Sequence, residues 1–170
     1  MKKTALIKWL WFKIIFWFAG FFPCRLIRGP DSTLYLARFI LWGDGGNETP
    51  PDPKKRARFS LFLHYFARPD IERELHSHPW KWSFSFVLSG GYWERRVRLD
   101  KNLWYLPYEI YRAPFQFNIF RAGDFHRITK INPGCWTLFF AGPKIADWGF
   151  LVRGRGVVGH ETYFRERGEK

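Results

Sequence analysis

Acidic side chains are scarce in this chain: 15 Asp and Glu stand against 28 Lys and Arg in 170 residues, a formal charge of +13 at pH 7. Cysteine is scarcer, with only Cys24 and Cys135, so neither a disulfide framework nor a cysteine-based zinc pattern is available. Two free thiols fit a reducing compartment, and a cytoplasmic location follows as the expectation. The chain also lacks internal repeats, low-complexity tracts, an RNA-recognition motif, zinc-finger spacing and a basic helix. A nucleic-acid partner is therefore not expected despite the charge, which is spread along the chain and offers phosphate contact without sequence readout. Arg153-Gly154-Arg155-Gly156 is rich in glycine but lacks the spacing of a phosphate-binding loop.

No apolar run of membrane-spanning length is free of charge. The nearest approach, Ala5 to Phe22, is interrupted by Lys8 and Lys13 and ends at Pro23. Phe21-Phe22-Pro23-Cys24 is a poor cleavage site for a signal peptide. As a helix this stretch is an aromatic cylinder. Trp9, Trp11 and Trp17 suit the headgroup level of a bilayer, with Lys2, Lys3, Lys8 and Lys13 attracting anionic lipid at the inner membrane face. The same aromatics could instead be hidden against the folded body or against a second subunit in a homodimer. The sequence leaves these arrangements open.

What is abundant is apolar and aromatic side chain, 46% and 21% of the residues, enough for a real core in a chain long enough for one domain. After the apolar helix (1–28), residues 29–164 read as short strands and turns, and 165–170 as a charged tail. Leu34 to Trp42 is a strand, followed by a glycine- and proline-rich loop over 43–57. Arg58 to Phe66 alternates Arg58, Ser60, Phe62 and His64 with Phe59, Leu61, Leu63 and Tyr65. Further strands are expected at Trp82 to Leu88, Tyr92 to Leu99, Tyr108 to Arg112, Phe115 to Phe120, Phe125 to Lys130 and Cys135 to Ala141. With no crossover helix between them, they point to an antiparallel all-β barrel or sandwich.

His76-Ser77-His78 has strand period, which puts both imidazoles on one side, roughly 6 to 7 Å apart at the backbone. His126 on a neighbouring strand would complete three nitrogens on one face of a metal ion, leaving other positions for water, substrate or dioxygen. Pro79-Trp80-Lys81-Trp82 and the Ser89-Gly90-Gly91-Tyr92 turn place the pair at the start of a buried hairpin.

At these residues the chain resembles the cupin superfamily. In its first motif His76, His78 and Gly90 stand in register, while the place of the glutamate ligand falls on Trp82 or Ser83. In the second, Arg121-Ala122-Gly123-Asp124-Phe125-His126 keeps Gly123 and His126 without the proline, and the motif's later Asn falls on Lys130. Glu74 to Trp80, Gly90 to Glu94, His126 to Ile128 and Gly142-Pro143-Lys144 with Trp148-Gly149-Phe150 look more specifically like a group of bacterial and phage-associated cupin-like proteins. The resemblance implies a double-stranded β-helix, or jelly roll, and a metal, not a substrate.

Without the glutamate, a three-histidine site is neutral. In ligand set it is similar to cupin-like thiol dioxygenases, which favours Fe(II) over Zn, Ni or Mn. Glu94 is the candidate replacement ligand or catalytic carboxylate, with pairing to a nearby arginine as the alternative. His64 could act as fourth ligand or proton donor, or be a core residue. Tyr92 is a candidate catalytic residue and, with Trp80, could line the cavity, Glu74 could accept an imidazole N–H from behind the metal, and Arg127 faces away. Ser83 and Ser85 leave room inside the barrel. Arg38 and Arg58 are candidate anchors for a carboxylate or phosphate, or surface residues. The expected functions are an Fe(II) dioxygenase acting on a small molecule, a metal-dependent isomerase or epimerase, or a metal-stabilised cupin binding a small ligand or partner protein.

Overall fold

The computed structural model describes residues 3–29, 31–43, 58–100, 103–104 and 107–168. In chain order they form α1 (Lys3–Ala19), β1 (Cys24–Arg28), β2 (Leu34–Trp42), β3 (Ser60–Phe66), β4 (Leu75–His76), β5 (Trp82–Ser89), β6 (Tyr92–Asp100) and β7 (Leu103–Trp104). There follow β8 (Tyr108–Arg112), β9 (Phe117–Arg121), β10 (Asp124–Ile131), β11 (Cys135–Ala141), β12 (Gly149–Val152), β13 (Gly156–Gly159) and α2 (His160–Glu166). One antiparallel sheet runs β1-β2-β3-β11-β5-β9. The second runs β13-β12-β4-β10-β6-β7, with β8 also pairing β6. The two sheets make the double-stranded β-helix of the cupin fold.

The alternation of β3 shows how the layers arise. Ser60, Phe62, His64 and Phe66 are buried on one face. Leu63 on the other is equally buried, because α1 lies across the outside of that sheet. Ile15 and Ala19 of the helix pack on Leu63 and Trp136, with Phe12, Phe39 and Tyr65 around them, and Trp11 Nε1 donates to the Leu88 carbonyl at 2.9 Å. The helix thus packs on the barrel along one side only. Leu6, Ile7, Trp9, Leu10, Ile14, Phe16, Trp17 and Phe18 remain exposed.

Several boundaries differ from the sequence reading. Helix α1 ends at Ala19, not Phe22, where Gly20 and then Pro23 stop it. Strand β1 falls inside the segment assigned to the helix and pairs with β2, so the barrel begins at Cys24. The last turns before the tail form α2, held by Tyr163 stacked on Phe150 at 3.9 Å and by the Arg155–Glu166 ion pair. The expected β5–β6 hairpin is not one. The Ser89-Gly90-Gly91 turn carries the chain from one sheet to the other, where β6 finds β10 and β8 as partners. Gly90 has φ +73°, and a Cβ there would meet the Cys135 backbone at 2.7 Å. The loop read over 44–57 lies outside the described residues.

Trp136 is only 1% exposed and makes edge contacts with Phe12 and Phe16 of α1. Trp136→Ala is expected to lower the unfolding free energy by about 3–5 kcal/mol, measured by equilibrium denaturation; a loss below about 1 kcal/mol would show that α1 is not packed there.

Candidate metal centre

His76 and His126 are direct cross-strand partners on β4 and β10, with ring centroids 4.6 Å apart. His78 follows β4 rather than lying in it, because the strand stops at His76. The alternation nonetheless persists. Ser77 points the other way and is clamped to Gly149, its N–H donating to the Gly149 carbonyl at 2.9 Å and its Oγ accepting from the Gly149 N–H at 3.1 Å. Pro79 then keeps His78 out of helical geometry. His126 follows the β9–β10 turn, in which Gly123 takes φ +90°, a reason for that motif glycine to be retained.

The ligating nitrogens of His76, His78 and His126 all lie within 4.8 Å of one another, and His78 Nε2 is 2.8 Å from His126 Nε2. Burial lowers His76 to about 4, with the Asp70 carboxylate opposing the shift. Burial, reinforced by His126 and His76, holds His78 well below the ordinary imidazole range. These two rings are therefore neutral at pH 7 and present lone pairs, the form a metal takes.

Behind the rings stand carboxylates. Glu94 Oε1 lies 3.2 Å from His126 Nδ1, and neither atom makes a hydrogen bond of good geometry. Asp70 Oδ2 lies 3.9 Å from His76 Nδ1 and accepts from the Ile128 N–H at 2.6 Å. A carboxylate at Nδ1 keeps the proton there and directs the Nε2 lone pair forward. His78 Nε2 and His126 Nε2 face each other at 2.8 Å, a hydrogen bond when one of them carries a proton and two converging metal donors when neither does. The donor set thus fits a divalent transition metal.

The six-stranded and seven-stranded sheets enclose a cavity of about 310 Å³ in front of the three rings. His78 is flanked by Trp80, Phe120 and Phe139, and His76 by Trp148 and Phe150. Ser85, Tyr92, His64 and Thr137 also line the space.

The remaining sequence candidates fall as follows. Glu94 is fully buried but sits behind His126, so it orients the imidazole and does not replace the missing glutamate as a ligand. Its Oε2 accepts from Arg112 Nε at 3.0 Å and Asn118 Nδ2 at 2.8 Å. Burial pushes the Glu94 carboxyl up; the His126 hydrogen and the charges of Arg96 and Arg112 outweigh it and leave it low. Tyr92 OH accepts from Asn118 Nδ2 at 3.0 Å and lies 3.4 Å from Ser85 Oγ; burial raises its pKa and keeps it protonated. His64 lines the cavity, but its Nε2 accepts from Arg38 Nε at 3.1 Å, and burial and then the Arg38 charge keep it neutral. It stands outside the metal-ligand group. Arg58 lies in an exposed bend away from the cavity lining.

Asp70 takes the position behind His76 that had been assigned to Glu74. Arg112 and Asn118 were not anticipated either. Asp70 lies in a loop six residues before His76, where no periodicity marks it. Arg112 and Asn118 are set by the pairing of β6 with β8 and of β5 with β9.

No protein-family profile matches this chain, and no curated protein matches it in sequence. Among solved structures it is similar to the oxalate decarboxylase of Lactobacillus farciminis in its formate complex, with TM-score 0.51 and 13% identity over 86% of this chain and 36% of that one. The DMSP lyase DddQ of Ruegeria pomeroyi DSS-3 gives 0.48 and 17%, over 74% and 58%. Fe(II)-HppE with an alternative substrate gives 0.45 and 14%, over 71% and 56%. The chain spans between about a third and three-fifths of the length of these proteins. The first of them carries the assignment of the fold, and the fold alone.

Glu94→Gln tests the role of the carboxylate behind His126. It leaves Arg112 without its buried counter-charge, while Arg96 keeps Asp124 at 2.7 Å, so a stability loss of about 3 kcal/mol is expected. Metal affinity should also fall about 10–100-fold. Chelator competition, at a temperature where circular dichroism shows the variant fully folded, separates the two effects. Unchanged affinity would detach Glu94 from the metal centre.

Proposed function

We propose that this chain is a metal-dependent enzyme that oxidises a small molecule, with His76, His78 and His126 holding one Fe(II) in a dioxygenase-type centre. The observation that carries the reading is the three-imidazole cluster facing a partly open cavity, with no fourth Cys, His, Asp or Glu in the group among the described residues. Structural sites close with four protein ligands, whereas reactive ones keep a position open. This favours an enzyme over a metal-stabilised binding protein.

The similarity of the ligand set to three-histidine thiol dioxygenases favours Fe(II); Zn, Ni and Mn are the alternatives that imidazole donors and the fold allow. A bound ferrous ion would supply open coordination positions where substrate and dioxygen meet. Everything else falls to the protein. The Glu94 carboxylate at 3.2 Å and the Asp70 carboxylate at 3.9 Å would favour a proton on Nδ1 of His126 and of His76. Trp80, Phe120 and Phe139 exclude water and lower the local dielectric, which strengthens every charge interaction inside. Tyr92, fixed by Asn118 and Ser85, presents a neutral phenol to the cavity.

Isomerase or epimerase chemistry is less well supported because it needs a base beside the reacting carbon. No Asp or Glu lines the cavity among the described residues, Glu94 is spent on His126, Arg112 and Asn118, and His64 is engaged by Arg38.

Elemental analysis of freshly purified, untagged protein beside a His76→Ala/His78→Ala variant tests the centre. About one equivalent of a single transition metal in the wild type, absent from the variant, is expected. Equal background metal in both overturns the centre and the chemistry built on it.

We further infer that α1 rests on an anionic membrane surface. No described helix is long and apolar enough to cross a bilayer. Trp9, Trp17 and Phe21 are nonetheless exposed, as is Lys13, in a chain of charge +13. A like-charged second copy is repelled from this face, and acidic lipid is attracted. Sedimentation with phosphatidylglycerol vesicles, but not phosphatidylcholine vesicles, is expected, and Trp17→Ala/Phe21→Ala should weaken it at least tenfold with an unchanged melting temperature. A concentration-dependent dimer that persists without lipid, together with no vesicle binding, would overturn this assignment.

A further inference from the structure

We propose that the cavity binds a small organic carboxylate with a flat apolar body, the carboxylate held by a polar row of Arg38, His64 and Thr137 on the six-stranded sheet. The reading rests on the proposed metal centre only for what meets the far end of the ligand; the anion site itself stands on separate observations.

The first is charge. The cavity lining includes Arg25, Arg38 and Lys144, and no Asp or Glu among the described residues. Lys144 is paired with Asp147 at 3.4 Å and Arg25 is exposed at the rim, so Arg38 is the cation within the partly open space, and its charge favours an anion there.

The second is register. On the inner face of the sheet, Arg25 of β1 pairs with Arg38 of β2, Arg38 with His64 of β3, and His64 with Thr137 of β11. All four line the cavity, a continuous polar row across a face otherwise built of Leu36, Phe66 and Phe139. Two arginines directly opposite each other repel, and an anion between them relieves that repulsion. Arg38 is fixed in place, its Nε donating to His64 and its guanidinium lying 5.0 Å from the centre of the Phe62 ring. A guanidinium held in one plane matches a planar carboxylate.

The third is Thr137. Its side chain is 1% exposed, and Oγ1 has no hydrogen-bond partner. Buried hydroxyls are nearly always satisfied, and a carboxylate oxygen seated on this row would accept from it.

The walls limit the rest of the ligand. Tyr35, Trp80, Phe120 and Trp148 present aromatic surface, and about 310 Å³ is at the small end of ligand cavities, which span roughly 300–1,000 Å³. One ring with short substituents fits, whereas a nucleotide does not. His76 and His126 stand on the opposite sheet, with His78 in the segment just after β4, so a ligand anchored at Arg38 presents its other end to them.

The test is a titration of the full-length protein as purified, and again after chelation, with benzoate, phenylacetate and salicylate. Benzamide serves as the uncharged counterpart and inorganic phosphate as an anion without an apolar body. Calorimetry and the fluorescence of Trp80 and Trp148 report binding, and metal content is measured on the same samples. Saturable binding of at least one carboxylate is expected, at least tenfold tighter than benzamide or phosphate. Arg38→Gln should weaken it at least tenfold. Because Arg38→Gln also removes the His64 hydrogen bond, Arg25→Gln/Lys144→Gln at the cavity rim is a second variant, expected to weaken binding several-fold with unchanged thermal stability. The anion site is overturned by benzamide binding as tightly as benzoate, by folded Arg38→Gln binding like the wild type, or by no saturable binding of any of the three carboxylates. Protein that holds one metal yet ignores carboxylates overturns the anion site alone; carboxylate binding without metal uptake leaves it standing and removes the metal centre.

Discussion

Glu94 is a carboxylate with no exposure to solvent, and the interior of the barrel is organised around the groups that make its burial tolerable. A lone buried charge of this kind is costly. Here it faces His126 Nδ1 on one side and Arg112 and Asn118 on the other, with Arg96 at 3.9 Å. Arg96 in turn donates to Asn118, Asp124 and the Ile119 carbonyl. Two carboxylates and two guanidiniums balance, so the network is neutral and satisfied apart from the contact with His126. That contact, at 3.2 Å, is where the network meets the ring of His126. A network with one side committed to orienting an imidazole is worth its desolvation cost if the other nitrogen has work to do.

The geometry in front of the rings follows from sheet register more than from any local motif. His76 and His126 meet because β4 and β10 are paired at those residues, and β4 is only two residues long. So short a strand cannot fix its own course. The Ser77–Gly149 clamp does so by tying the odd-numbered side of the segment to β12, and the even-numbered side is left to present His76 and His78 to the interior. The site is thus built on the seven-stranded sheet and the polar row on the six-stranded one, and the cavity is the gap that small side chains such as Ser60 and Ser85 leave between them.

Much of this could be read from the chain. Strands β2, β8 and β11 fall where alternation and turn residues put them, because each is long enough to show period two against well-marked ends. The three histidines were found by spacing and by the glycines that turn the chain around them. What could not be read lies in pairings between distant segments. Strand β1, Cys-Arg-Leu-Ile-Arg at an exposed edge, has no buried alternation to reveal it. Asp70 is a loop residue whose partner is fixed only once β10 lies beside it. Arg38 looks like a surface arginine on a strand until β3 brings His64 opposite. The β5–β6 turn reads as a hairpin because local sequence carries no mark of which sheet a strand will join.

The position of the missing glutamate links these observations. In the cupin motif a carboxylate would bring one negative charge to the metal, and here that place falls on Trp82 or Ser83. The charge has not left the interior: Glu94 holds it behind the His126 ring, already balanced by arginines. Were a divalent ion held by His76, His78 and His126, its charge would face a cavity that is also lined by Arg25 and Arg38. At low dielectric such an excess persists unless a ligand offsets it. On the proposed reading, an anionic substrate would supply the charge that the absent side chain would have brought, and only while bound, which would make the charge balance of the centre conditional on the substrate being present.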